Sequence, residues 1–333
     1  GDSVVPKRIG LTLEQVDDLL RHGGELGLSA VLIEADGSRM LPVKAPGWHE
    51  PVLPVSTTIL IAVVGVDAIG QTIREHVVHR PQHMLHLLGI PPKVQPIRLS
   101  PGMLAKILIH RQGGAKHLPP GARMLPLFNK AEQVTRYAAA RIACLQLVLM
   151  GKASLIGAVG AKNAPAVRER WAPLAAIILA AGESQRMGHP KQLIVVDGEP
   201  MVLRAARIAL ESGVSRVYVV TGAFASEVTA VLDPLLDSTS GMLEIIHNPQ
   251  WASGQASSIR TGVSAVSGST GGILFLPADQ PFLQPAYLRR MLTGWRQGAQ
   301  IVASQAEGLI RGAPALFDRQ FLSELSSIDG DVG

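Results

Sequence analysis

Seven apolar residues in succession, Leu174–Ala180, run straight into Ala181-Gly182 and then into a polar stretch closing on Lys191. A run of that length stopped by glycine reads as a strand leading into a loop. The pattern recurs through the second half of the chain: Val217–Val220 precedes Thr221-Gly222, Leu243–Ile246 precedes His247-Asn248, and Ile273–Leu276 precedes Pro277-Ala278-Asp279. Helical spacing over 199–211, 225–232 and 257–266 fills the intervals. Strands alternating with helices predict a parallel α/β sheet. No uninterrupted apolar run reaches the ~18 residues of a membrane span. The mean hydropathy of +0.25 therefore reflects packed cores, and with aromatics at only 4% those cores are built from Ala, Val, Leu and Ile.

The first half shows a looser form of the same alternation. Leu13, Val16, Leu19 and Leu20 mark an amphipathic helix over 11–22. Ala30–Ile33 reads as a buried strand delivering Glu34-Ala35-Asp36-Gly37, and Ile59–Val64 as a second, stopped by Gly65 and Asp67. Helices are expected around 67–78, 101–111 and 132–150, with an apolar run Met124–Phe128 ending at Asn129-Lys130. Turn-forming residues from Gly160 to Pro165 and at Trp171-Ala172-Pro173 mark a boundary. The expectation is two tandem α/β domains, 1–168 and 169–333.

Charge divides along the same line. Residues 1–170 carry 20 Lys and Arg against 12 Asp and Glu, and residues 171–333 carry 11 against 14. The cations of the basic half are scattered, without an Arg/Lys run or interleaved aromatics, so they read as a solvated basic face rather than a nucleic-acid footprint. The single cysteine, Cys144, excludes an intrachain disulfide framework and cysteine-based zinc or iron–sulfur sites. No signal peptide opens the sequence, which makes the cytoplasm the expected location. Gly1 and Gly333 both read as ends cut from a longer protein.

The loop after Leu174–Ala180 carries the sharpest chemistry. Small residues at 180–182 let backbone N–H groups approach a ligand closely, and such a loop at a strand's carboxyl end is an anion site. Arg186 and Lys191 add two cations. This is not a Walker A loop, because Pro190 stands where that loop needs Gly before Lys. Taken whole, Leu179-Ala180-Ala181-Gly182-Glu183-Ser184-Gln185-Arg186-Met187-Gly188-His189-Pro190-Lys191 resembles the L-A-[AG]-G-x-S-x-R-M-G-x-x-K signature of the MobA-like nucleotidyltransferases. The resemblance continues in order through Thr221-Gly222, Asn248-Pro249, Trp251, Gly254, Ser257-Ser258, Pro277-Ala278-Asp279-Gln280-Pro281, Gly312–Phe317 and Gly330–Gly333, and covers about 174–333.

The resemblance implies a Rossmann-like, doubly wound sheet. Within the family the chain looks most like the molybdenum cofactor cytidylyltransferases. Mg²⁺ and CTP would bind at the strand ends, and CMP would pass to molybdenum-loaded molybdopterin, giving molybdopterin cytosine dinucleotide and pyrophosphate. Ala181 favours cytosine, because the family associates Leu-Ala-Ala-Gly with CTP and Leu-Ala-Gly-Gly with GTP. The expected nucleotide site comprises Leu179, Ala180, Ala181, Gly182, Ser184, Lys191, Thr221, Gly222 and Asn248, and the expected acceptor site Gly254, Ser257 and Ser258. Joining two anions requires cationic screening and in-line positioning rather than a covalent nucleophile. Lys191 would hold the triphosphate, Arg186 the charge developing on pyrophosphate, and Asp279 the Mg²⁺, a hard cation content with few carboxylates. Asp331 is a second acidic candidate at the metal. Each serine, taken alone, serves equally well as a helix cap. The same fold acting on another nucleotide or phosphorylated substrate, or a non-catalytic molybdenum cofactor chaperone, are the alternatives.

Glu34–Arg39, Pro42, Lys44-Ala45-Pro46 and His49-Glu50-Pro51-Val52 resemble the YqeC-like proteins associated with selenium-dependent molybdenum hydroxylases, over about 1–165. That resemblance implies a P-loop-NTPase-like parallel sheet with a Walker B-like Mg²⁺ site in Glu34–Gly37. Asn129-Lys130-Ala131-Glu132 resembles the guanine-reading N-K-x-D with Glu132 in place of Asp. No G-x-x-x-x-G-K-[ST] exists in the chain; in that family it would precede Gly1, so this half is expected not to hydrolyse a nucleotide. His49 and Glu50 are candidates to face a substrate. The pairing of the two halves implies a shared pathway that supplies a molybdenum hydroxylase apoprotein, with no nucleic acid or membrane partner.

Overall fold

The computed structural model describes residues 10–91, 96–183, 189–306 and 308–330. The chain forms two compact units, residues 1–143 with 155–166, and residues 144–154 with 167–333.

In the N-terminal unit the helix expected over 11–22 forms as Leu13–Arg21, closed by a capping box between Thr12 and Gln15. Helices Pro81–Leu88 and Pro101–Ile109 follow, and the helix Val134–Leu149 begins in this unit and ends in residues of the second. Strands are short and parallel: 63–65 pairs with 127–129, which pairs with 154–157, and 59–60 pairs with 123–124.

Three expectations fail here. Residues 30–38 carry no regular structure, and Leu32 is 93% exposed. Four apolar residues in a row do not make a strand when no neighbour offers a ladder. Asp36, expected to hold a metal, instead forms an ion pair with Lys44. The run 59–64 is not one buried strand: the ladder breaks at 61–62, and Ile59, Ile61 and Val63 are all exposed. No helix forms over 67–78 beyond a single 3₁₀ turn at Val66–Ala68. Gly70 takes φ +84°, outside the helical region, and the backbone of 70–73 pairs with 97–99 through Gly70 N to Leu99 O, Leu99 N to Gln71 O and Ile73 N to Ile97 O.

Glu50 is the hub of a polar cluster in this unit. It accepts from the Gly47 amide (2.8 Å) and Arg80 (2.7 Å), and pairs with Lys44 (3.0 Å). Burial opposes ionisation of Glu50, but the hydrogen bonds of Arg80, Gly47 and Lys44, together with the Lys44 charge, outweigh it and hold the carboxyl at about 2. Lys116, itself buried, donates to the Gly47 and Trp48 carbonyls of the same loop. Glu50 thus fixes the 44–51 loop, while His49 is more than half exposed.

The C-terminal unit is built on a six-stranded sheet: β1 (Leu174–Ala180), β2 (Arg216–Thr221), β3 (Leu243–His247), β4 (Gly272–Pro277), β5 (Ile301–Ala306) and β6 (Leu309–Asp318). Their spatial order is β3-β2-β1-β4-β6-β5; the first four run parallel, and β6 is antiparallel to both β4 and β5. Helices α1 (Met201–Glu211), α2 (Ala225–Ser238) and α4 (Pro285–Arg296) cover one face, and α3 (Gln255–Ala265) and α5 (Leu322–Ser327) the other. Leu174, Ala176, Ile178 and Ala180 point into the first core, Ala175 and Ile177 into the second. Burial on both faces is why β1 reads as an unbroken apolar run. The sheet is Rossmann-like and doubly wound. Helix α2 runs six residues past its expected end, continuing through Pro234.

Among the described residues no helix is long and apolar enough to cross a membrane.

Candidate active site

Register places the site. Ala180 of β1 pairs with Thr221 of β2, and Leu179 with Pro277 of β4, so three parallel strands end at one level. The order reverses between β1 and β4, and in open α/β sheets ligands bind in the crevice outside the strand ends at such a switch point. A cavity of about 640 Å³ opens there. Leu179, Ala180, Ala181, Gly182, Lys191, Gly254, Ser258 and Asp279 all line it, so the loop, the lysine and the carboxylate share one hollow.

Each wall is held by its own device. After β1 the loop carbonyls of Ala180 and Gly182 accept from Gln192 Nε2 at 3.4 and 3.1 Å, and Gln192 is only 4% exposed. These bonds fix the backbone of the loop at the mouth of the crevice. Lys191 opens the 3₁₀ turn Lys191–Leu193. That segment is anchored onward by the pairing of 195–196 with 199–200 and by Arg207, which grips both oxygens of Glu199 at 2.9 and 3.0 Å. The Arg207 hydrogen bonds hold the Glu199 carboxyl below its usual range. On the facing side the Ala278 amide donates to Leu179 O (3.3 Å) and Gln280 Nε2 to Ala313 O (3.0 Å), bracketing Asp279 at the end of β4.

Thr221, Gly222, Asn248 and Ser257 stand behind the cavity wall. Asn248, 1% exposed, donates through Nδ2 to Ser257 Oγ (2.9 Å) and Ser258 Oγ (3.0 Å), while its Oδ1 accepts from the Gln250 amide (2.9 Å). Its hydrogen-bonding capacity is largely occupied within the protein. Ser257 Oγ lies 2.8 Å from Gly254 O and 2.9 Å from Gln250 O, which locks the start of α3. Ser258 accepts from Asn248 and faces the cavity. Gly222 is a close-approach residue: a Cβ there would lie 2.5 Å from Trp251 Cβ and 2.6 Å from Ala181 O. Ser184, Arg186 and Asp331 fall outside the described residues.

Gln192 and Trp251 also line the cavity, beyond the residues expected there from the sequence. Trp251 lines the cavity directly above Gly222. The available signal for Gln192 was its place next to Lys191; nothing in the sequence shows that it reaches back ten residues to Gly182. Among the described residues Lys191 is the one basic side chain lining the cavity, with Glu183 and Asp279 the acids.

A small-residue loop, a lysine and a carboxylate thus surround one crevice at the carboxyl ends of a doubly wound sheet, the place where such sheets bind ligands. Residues 176–333 match the family model of the MobA-like NTP transferase domain, and residues 2–82 that of the YqeC protein. Nicotine blue oxidoreductase of Paenarthrobacter nicotinovorans is 32% identical over 166 residues, covering 47% of this chain and 77% of that protein. The uncharacterized protein YqeC of Escherichia coli K12 is 36% identical over 124 residues, 37% of this chain and 46% of that protein. The bifunctional protein GlmU of Sorangium cellulosum is 33% identical over 121 residues. The chain thus spans about half of YqeC and a quarter of GlmU. Among solved structures it is similar to Rv0371c from Mycobacterium tuberculosis H37Rv (28% identity, TM-score 0.42, 48% of this chain and 79% of that one). It is also similar to a nucleotidyl transferase from Methanothermobacter thermautotroptrophicus (26%, 0.41, 48% and 78%). The chain belongs to the MobA-like NTP transferase family through its C-terminal part, with a YqeC-like N-terminal part.

Proposed function

We propose that this chain transfers CMP from CTP to molybdenum-loaded molybdopterin, for insertion into a molybdenum hydroxylase. The observation that carries the reading is the single cavity shared by Lys191, the Ala180–Gly182 loop and Asp279. A phosphate oxygen of the acceptor forms a bond to the α-phosphorus of CTP. The bond from that phosphorus to the bridging oxygen breaks, and its electron pair leaves with pyrophosphate. Lys191 and the loop amides neutralise the triphosphate; Arg186, assigned to the charge developing on pyrophosphate, and Ser184 lie outside the described residues.

A divalent metal, Mg²⁺ in this reading, fits the donor set. Mg²⁺ uses one or two carboxylates plus substrate phosphates; Asp279 is exposed into the cavity, and no group of three or more metal-binding side chains occurs among the described residues. Asp279, with Asp331 as a second acid, would hold the ion, which supplies charge neutralisation between the phosphates. Ala181 at the base of the loop supports cytosine. We assign the transfer to residues 169–333 and, to residues 1–168, an accessory role in the same cofactor maturation.

The test is pyrophosphate release from CTP, GTP and ATP with molybdenum-loaded molybdopterin. Release with CTP that needs both acceptor and divalent metal supports the reading. Release with another nucleotide alone would reassign the base, and product binding without release would leave a chaperone.

A further inference from the structure

A second hollow of about 610 Å³ adjoins the same loop. Pro277, Ala278 and Asp279 line the first cavity; from Gln280 onward the chain lines the second. The lining thus passes from one hollow to the other between consecutive residues, Asp279, the carboxylate assigned to the metal, and Gln280.

The second hollow is chemically unlike the first. Arg290 is its one charged lining residue and has no carboxylate partner among the described residues; its guanidinium sits 5.3 Å from the centre of the Tyr287 ring. Phe282 is 83% exposed at the rim, and the Gln305 amide completes the wall. The pairing of β5 with β6 slips on both sides of Ser304, the kind of irregularity that re-aims side chains beside sites. Hydrogen bonds from Gln280 to Ala313 O and from Ser304 Oγ to Pro314 O (2.6 Å) fix the wall in place. Aromatic faces stack on planar rings, an amide reads a polar edge, and an arginine pairs with an oxyanion. No nucleotide is needed to explain these groups, since the first cavity already offers a triphosphate its lysine and amides.

We propose that this hollow seats the transfer acceptor as a flat, anionic pterin, with Tyr287 and Arg290 as its specificity-determining contacts. This rests on the reading that the chain acts on molybdopterin, and it seats that acceptor in the second hollow in place of the expected Gly254, Ser257 and Ser258, of which Gly254 and Ser258 line the first cavity. In-line displacement requires the entering and leaving oxygens on opposite sides of the α-phosphorus. With nucleotide in the first hollow and acceptor in the second, the acceptor's phosphate oxygen would enter from the Gln280 side of Asp279, and pyrophosphate would leave with the broken bond's electrons on the Lys191 side.

The test pairs a binding measurement with turnover. Pterin-6-carboxylate, a fluorescent anionic pterin, is titrated into the whole chain, into Arg290→Ala, whose side chain is exposed, and into Tyr287→Leu. The wild type should bind it without competition from MgCTP, and each variant should weaken binding at least tenfold while the CTP dissociation constant stays within twofold. In turnover, the KM for molybdopterin should rise at least tenfold and that for CTP should not. Absence of pterin binding to the wild type, displacement by CTP, or unchanged affinity in Arg290→Ala overturns the proposal. If wild-type chain releases pyrophosphate with molybdopterin yet these variants behave normally, only the acceptor seat is wrong. If no release occurs with any nucleotide, the function reading fails separately.

Discussion

Replacing Gly222 by Ala is the sharpest probe of how the site is held. The new methyl would lie 2.5 Å from Trp251 Cβ, 2.6 Å from Ala181 O and 2.7 Å from Trp251 Cγ, each well inside van der Waals contact. Neither neighbour yields easily. Ala181 O is backbone and accepts from the Ala223 amide at 3.2 Å, and Trp251 is clamped at its Cβ rather than at a free end. Overpacking of this kind costs about 1–3 kcal/mol. For a unit of this size, each kcal/mol lowers Tm by roughly 2–4 °C, so a cost of about 2 kcal/mol gives a fall of roughly 4–8 °C. Both displaced groups belong to cavity-lining residues, so nucleotide affinity should fall with stability. Thermal unfolding with and without MgCTP reads the first effect, calorimetric titration of CTP the second, and hydrogen exchange over 217–224 and 248–258 locates both. An Ala variant with wild-type Tm and wild-type CTP affinity would refute the claim that Gly222 is required for close approach.

The remaining predictions follow from single contacts. Asp279→Ala should abolish metal-dependent pyrophosphate release without lowering Tm, since the side chain is exposed; turnover surviving in a metal titration would remove it as the metal ligand. Lys191→Ala should weaken CTP binding by about tenfold or more, the value of a charge-assisted contact of roughly 1.5–3 kcal/mol, and an unchanged dissociation constant would count against a phosphate role. Gln192→Leu removes the donor to Ala180 O and Gly182 O; it should cost about 1–3 kcal/mol and loosen the loop, seen as faster exchange at 180–183. Glu50, held at about 2 against an ordinary 4.5, contributes stability that is complete above about pH 4.5 and drains away as pH falls toward 2. Denaturant unfolding of the N-terminal unit across that window should show the loss, and Glu50→Gln should flatten it.

How much was legible differs between the two halves for a physical reason. In the C-terminal half each inner strand is buried on both faces and ends in small or turn residues, so Leu174–Ala180 and Ile273–Leu276 announce both strand and ending. The cavity residues Ala181, Gly182, Lys191 and Asp279 follow from those endings. In the N-terminal half the apolar runs are short and the strands only two to four residues long. A strand there depends on what lies beside it, and the backbone of 70–73 chose 97–99, 24 or more residues away, over its own helix.

The sequence alone therefore determined the doubly wound C-terminal sheet, its loop chemistry and the family, because burial pattern and strand-end composition are local properties. Tertiary structure alone decided which named residues face the cavity and which brace it. Asn248 and Gly222 sit in motifs as prominent as that of Asp279, yet one is occupied by two serines and the other is pressed beneath Trp251. Gln192 gained its place only because the chain folds back to set its amide against the Gly182 carbonyl. Hydrogen-bond partners and close contacts across a fold are set by distance in space, which the order of residues along a chain does not encode.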